Sequence, residues 1–93
     1  RFFTQGERED CNGQAHRLAA RIAGKEAVAK ALGTGIGDVR WVEIEIRVNT
    51  PRKRPQLTLH GDAARVAAEL GLTEWDISLT HLKEYASAMV VAK

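Results

Sequence analysis

A helical stripe interrupted by a charge constrains this chain more than any other feature. The segment Arg17-Leu18-Ala19-Ala20-Arg21-Ile22-Ala23-Gly24-Lys25-Glu26-Ala27-Val28-Ala29-Lys30-Ala31-Leu32-Gly33 reads as one helix. Leu18, Ile22, Ala29 and Leu32 recur at spacings that share one helical face. The missing member of that series, midway between Ile22 and Ala29, is Lys25. An ammonium in an apolar stripe is costly unless an anion meets it or its stem reaches out to water. Glu26 lies beside it at the edge of the stripe, with Lys30 one turn further on. A helix built only for packing would carry Leu or Ile at position 25, so this one invites a functional reading.

A chain of 93 residues makes one small domain, 1–93. Its core is modest, so self-association is an expected source of added stability. A hydrophobic share of 44% with 28% charged residues places it among globular rather than disordered chains. The net charge of +2 is too small to argue for nucleic acid. The run Arg52-Lys53-Arg54 suggests an anionic partner, although such runs are more often solvated loops. Cys11 is the single cysteine, which leaves no intrachain disulfide and no cysteine cluster for metal, and is compatible with a reducing cytoplasm. No apolar run approaches membrane-spanning length and no signal peptide is recognisable. The sequence opens on Arg1 and runs directly into Phe2-Phe3-Thr4, so processing or a missing first part is expected.

Thr4 and Glu7 have the spacing of a capping box, which predicts a short helix over Gln5 to Cys11, broken at Asn12-Gly13. The long helix is expected to run to Leu32 and stop at Gly33. From Trp41 to Val48 the pattern alternates, with Val42, Ile44, Ile46 and Val48 on one face and Glu43, Glu45 and Arg47 on the other. That predicts a half-buried strand. Asn49 to Pro55 reads as a turn or loop and Gln56 to His60 as a second strand. Gly61-Asp62 opens an amphipathic helix through Ala63, Val66, Ala67 and Leu70, closed by Gly71. Two further strands, Asp76 to Thr80 and Tyr85 to Ala92, complete the chain. The order helix, helix, strand, strand, helix, strand, strand predicts an α+β domain, an antiparallel sheet packed against a long helix.

Arg21, Lys25, Glu26 and Lys30 fall within about two turns of that helix. A carboxylate among fixed cations suits a Mg²⁺-bridged phosphate substrate, because the carboxylate holds the hard metal and the cations neutralise phosphate. The plainer reading is a surface Glu26–Lys30 pair, worth a few tenths of a kcal/mol. Gly33-Thr34-Gly35-Ile36-Gly37 follows a helix, whereas phosphate-cradling loops precede one, so periodicity alone favours a C-terminal cap. His81 closes the strand Ile77-Ser78-Leu79-Thr80-His81, where an imidazole beside hydroxyls binds phosphate or relays a proton, or serves as an ordinary turn residue. His16, His60 and His81 lack zinc-ligand spacing.

Together these segments resemble the holo-acyl-carrier-protein synthase family of 4′-phosphopantetheinyl transferases. The similarity runs from Arg1-Phe2-Phe3-Thr4 through Ala20-Arg21-Ile22-Ala23-Gly24-Lys25-Glu26-Ala27 and Lys30-Ala31-Leu32-Gly33-Thr34-Gly35-Ile36. It continues through Trp41 to Ile46 and Ile77-Ser78-Leu79-Thr80-His81 to Lys83-Glu84-Tyr85-Ala86. The resemblance implies transfer of phosphopantetheine from coenzyme A, the co-substrate, to a serine of an acyl carrier protein, releasing 3′,5′-ADP in support of fatty acid biosynthesis. By position, Glu26 would ligate Mg²⁺ bridging the pyrophosphate, and Lys30 would stabilise its developing charge and protonate the departing phosphate. Lys25 belongs to the same catalytic motif. Arg21 and His81 would hold the nucleotide's phosphates, and Gly33, Thr34, Gly35 and the loop Lys53-Arg54-Pro55 would complete the cofactor pocket. A metal-bound water or a carboxylate would deprotonate the serine, which attacks the β-phosphate. The resemblance also implies a cytoplasmic homotrimer with active sites shared between neighbours, and no nucleic-acid or membrane partner.

The chain departs from that family in three places. The family's N-terminal strand with Gly-Ile-Asp, whose Asp is a further metal ligand, and most of the first helix are missing, so a fragment of 93 residues is expected to be inactive. Lys53 stands where the family has the glycine of Gly-Lys-Pro, and Leu82 where a threonine is common. Two other classes stay open at this point. One is a degenerate homologue that binds without turnover; the other is a small α+β module for RNA or another polyanion, against which stands the scatter of Trp41, Trp75 and Tyr85.

Overall fold

Thr4 and Glu7 cap each other at the first helix, α1 (Gln5–Cys11): Thr4 Oγ1 accepts from the Glu7 amide at 3.1 Å and Glu7 Oε1 from the Thr4 amide at 3.0 Å. The fold is that of a computed structural model, which describes residues 2–33, 39–48, 54–82 and 85–93, without the side chains of 80–82 and 85–87. Asn12, with φ 50°, ends α1 in the left-handed conformation that the Asn-Gly pair predicts.

The long helix is α2 (Ala15–Ala31), with Leu32 as its cap and Gly33 following at φ 74°, the stop expected there. Its buried face consists of Ala20, Arg21, Gly24, Lys25, Val28 and Ala29, while Leu18 and Ile22 are only half-buried. The face that enters the core is therefore rotated from the expected apolar stripe and takes in two cations. Tertiary partners, which periodicity does not see, decide which side of a weakly amphipathic helix is covered.

The predicted strand over Trp41 to Val48 is shorter than expected. Trp41–Glu43 forms a 3₁₀ turn, and β1 covers only Ile44–Arg47. The cause is Glu43, which was expected on the polar face and is instead buried. Its Oε1 accepts from the Arg40 amide at 3.1 Å, a local bond that competes with strand pairing. Ile44 and Ile46 face the core as expected and are both fully buried. β2 (Gln56–Leu59) pairs antiparallel with β1, from Ile44↔Leu59 to Arg47↔Gln56.

His60 is not strand but the residue before α3 (Gly61–Leu70), which Gly71 closes at φ 72°. β3 (Trp75–Leu82) is longer at both ends than Asp76 to Thr80, and pairs antiparallel with β4 (Tyr85–Ala92) from Trp75↔Ala92 to Leu82↔Tyr85. His81 consequently lies inside the paired run, opposite Ala86, rather than at its end. The α+β class and antiparallel pairing are as expected, with the described strands forming two two-stranded sheets instead of one. α2 packs on both, and Val28, Leu32, Ile44, Ile46, Ala63 and Ile77 meet in one core beneath it.

Candidate active site

Lys25 is fully buried, and its ammonium has three acceptors: Glu7 Oε1 at 2.8 Å, the Trp41 carbonyl at 2.7 Å, and the Ile44 carbonyl. An ammonium has three hydrogens, so none remains for a substrate. Burial pushes its pKa below the usual lysine value, and the Glu7 carboxylate opposes that shift. The Lys25 side chain goes inward, away from Glu26, to an anion 18 positions earlier in the chain. Glu7 does more than cap α1. Its Oε2 also accepts from the Ile46 amide at 2.8 Å, so one carboxylate serves α1, α2 and β1.

Glu26 and Lys30 are exposed on the outer face of α2. The surface pair between them does not form, and among the described residues neither has an ion-pair or hydrogen-bond partner. Both are free to meet a ligand.

Arg21 goes elsewhere. It lines a cleft of ≈ 680 Å³ between α2, the loop before β2 and β3, together with Arg17, Arg54, Pro55, Gln56, Asp76 and Ser78. Arg21 is 5% exposed, and its Nε is buried without a hydrogen-bond partner among the described residues. A buried orphaned guanidinium donor is costly, and an anionic oxygen arriving in the cleft would satisfy it. Three arginines against one Asp76 carboxylate make this cleft suited to phosphate.

The residues expected to share one site thus fall into two groups. Arg17 and Glu26 are nine positions apart on α2, as are Arg21 and Lys30, and nine residues correspond to about two and a half turns. Arg17 and Arg21 face the cleft while Glu26 and Lys30 face the opposite side. Arg54 and Pro55 do join Arg21. Gly33 follows the α2 cap at φ 74° and is not in the cleft wall. Thr34, Gly35 and Lys53 lie outside the described residues, as does the His81 side chain.

Sequence reasoning missed Arg17, Gln56, Asp76 and Ser78 in the cleft, and Glu7 as the partner of Lys25. Arg17 had a usable signal, since it precedes Arg21 by four residues and shares its helix face. The partnership of Glu7 with Lys25 had none, because it joins separate elements.

Comparison with known proteins bears on this geometry. The chain matches the family described as the 4′-phosphopantetheinyl transferase superfamily over residues 1–90. It is 48% identical over 96 residues to the holo-[acyl-carrier-protein] synthase of Salinispora arenicola, covering 100% of this chain and 77% of that protein. With that of Herpetosiphon aurantiacus it shares 44% over 98 residues, covering 98% and 76%. Among solved structures, Helicobacter pylori holo-[acyl-carrier-protein] synthase in complex with coenzyme A superposes with a TM-score of 0.86 at 28% identity, covering 100% of this chain and 78% of that one. The Neisseria meningitidis enzyme gives 0.84 at 30%, covering 100% and 77%.

Proposed function

Because the chain belongs to the 4′-phosphopantetheinyl transferase superfamily, we propose that it transfers 4′-phosphopantetheine from coenzyme A to a serine of an apo acyl carrier protein, leaving 3′,5′-ADP. The observation that carries this reading to the residues is the orphaned, buried Nε of Arg21 in a cleft shared with Arg17 and Arg54. That cleft binds and orients the nucleotide end of coenzyme A through its phosphate charge.

Glu26 and Lys30 act on the pyrophosphate. Lys30 offsets the charge that grows on the leaving phosphate and supplies its proton. Mg²⁺ takes few carboxylates and completes its shell with phosphate and water oxygens. A single exposed Glu26 fits that habit, and among the described residues no group of three His, Cys, Asp or Glu side chains gathers elsewhere. Bound there, the ion would neutralise pyrophosphate charge. Lys25 takes no part in the chemistry and holds α2 in place.

The two groups lie on opposite faces of α2, which argues against one copy applying both to one nucleotide. The phosphates of coenzyme A's nucleotide hang from a single ribose, whereas the two faces of α2 are separated by a helix about 10–12 Å across. The geometry therefore favours a site in which the cleft of one copy meets the Glu26–Lys30 face of another, as in a homotrimer with shared sites. The setting we infer is fatty acid biosynthesis in the cytoplasm, where Cys11 stays reduced. None of the described helices is long and apolar enough to cross a membrane.

The test is the intact mass of an apo acyl carrier protein after incubation with coenzyme A, Mg²⁺ and the full-length chain. A gain of one phosphopantetheine supports the reading, and an unchanged mass with a folded protein overturns it.

A further inference from the structure

We infer that Glu7, a residue that touches neither cleft nor outer face, is a positioning residue for both. It acts through Lys25 by setting the rotation of α2 about its own axis. The inference rests on the transfer reading above for its activity and 3′,5′-ADP readouts.

The starting observation is that stability does not explain the pair. Both side chains are fully buried, and a buried ion pair gains little over apolar side chains of the same shape. What the pair has and an apolar pair lacks is direction. Lys25 Nζ donates to Glu7, to the carbonyl of Trp41 and to that of Ile44, which belong to α1, the 3₁₀ turn and β1. Glu7 is itself held from three sides, by the Thr4 amide, the Ile46 amide and the ammonium. A hydrogen-bonded hub of this kind admits one azimuth of the helix, whereas a greasy contact tolerates several.

A second observation points the same way. At Gly24, adjacent to Lys25, α2 approaches the sheets so closely that an added Cβ would lie 2.6 Å from Ile46 Cδ1 and 3.1 Å from Leu79 Cδ2. The helix is pressed flat at Gly24 and pinned in rotation at Lys25. Arg21 lies one turn before the pin and faces the cleft, and Glu26 is the next residue after it and faces out. Turning α2 moves both in opposite directions. Misplacements of about 1 Å at a reacting centre cost up to two orders of magnitude in rate.

The experiment compares the full chain with Glu7→Gln/Lys25→Met, which removes both charges and keeps the volumes. Three quantities are read: the unfolding midpoint, kcat for transfer, and the dissociation constant for 3′,5′-ADP by calorimetry. The expected result is a folded variant with kcat lowered at least about tenfold and 3′,5′-ADP affinity lowered at least about fivefold. A folded variant with both values within twofold of wild type overturns the inference and leaves the pair a packing device. Should the double variant not fold, Glu7→Gln alone weakens the contact to Lys25 Nζ while keeping the side-chain shape. It is expected to lower both values by a smaller factor; a folded Glu7→Gln with both values within twofold of wild type overturns the inference. A wild-type chain that binds 3′,5′-ADP but transfers nothing defeats the transfer reading alone, and the affinity comparison then decides the role of Glu7.

Discussion

Lys25 Nζ lies 2.8 Å from Glu7 Oε1 with neither side chain exposed, and this one contact ties the short first helix to the middle of the long one. Removing one partner strands the other charge in the core. Glu7→Ala and Lys25→Ala are each expected to lower the unfolding free energy by about 3–5 kcal/mol. Glu7→Gln/Lys25→Met, which strands no charge, should lose much less. Urea denaturation followed by circular dichroism makes the comparison, and equal losses in the single and double variants would refute the pairing.

Arg21→Ala should weaken binding of coenzyme A roughly 10- to 100-fold, the loss of one or two charge-assisted hydrogen bonds. Arg21→Lys should recover only part of it, since an ammonium cannot reproduce the Nε donor. Calorimetric titration checks both, and an undiminished affinity in Arg21→Ala would remove the cleft from the nucleotide site.

Acid sensitivity follows from two carboxylates. The Arg47 guanidinium, 2.7 Å away, holds the Asp10 carboxyl below its ordinary value of 3.8. At Glu45 burial pushes upward from 4.5, but hydrogen bonds from Thr4 and His60 outweigh it and the net shift is down. Each binds its proton more weakly folded than unfolded, so protonation favours unfolding. Their stabilisation is complete above about pH 4.5 and is lost as pH falls through the lowered values. Asp10→Asn should flatten the decline of stability between pH 4 and 2, read from urea midpoints; a decline as steep as wild type would contradict the assignment.

Gly61→Ala should destabilise the fold by about 1–3 kcal/mol. Gly61 has φ 54°, and a Cβ there would lie 2.7 Å from Glu43 Oε2, the same carboxylate that turns the chain into β1. Thermal unfolding would show the drop, whereas an unchanged melting temperature would mean that α3 can start elsewhere.

Local patterns proved readable where local forces decide. Thr4-x-x-Glu7 announced α1, Gly71 closed α3, and the alternation around Ile44 and Ile46 marked their burial. Trp41–Glu43 was misread as strand because the alternation there is intact; only the inward turn of Glu43 onto the Arg40 amide breaks it. The oddity of Lys25 was visible, but its meaning was not, because the anion that meets it comes from another helix. For the site, the residue types are legible in the sequence, and part of their distribution is too. The nine-residue spacing of Arg21 and Lys30 already places them on opposite faces of a helix, which a list of motif residues conceals.

The central claim is that one active site draws on both faces of α2, from two copies. The direct measurement coexpresses full-length Arg21→Ala and Glu26→Ala chains and follows transfer to apo acyl carrier protein by intact mass, at coenzyme A below the wild-type KM. Alone, each variant should be nearly inactive. Mixed at random, the two place an intact Arg21 cleft opposite an intact Glu26 face at roughly one interface in four, restoring about a quarter of wild-type activity. A mixture no more active than the two variants measured separately would contradict the shared site.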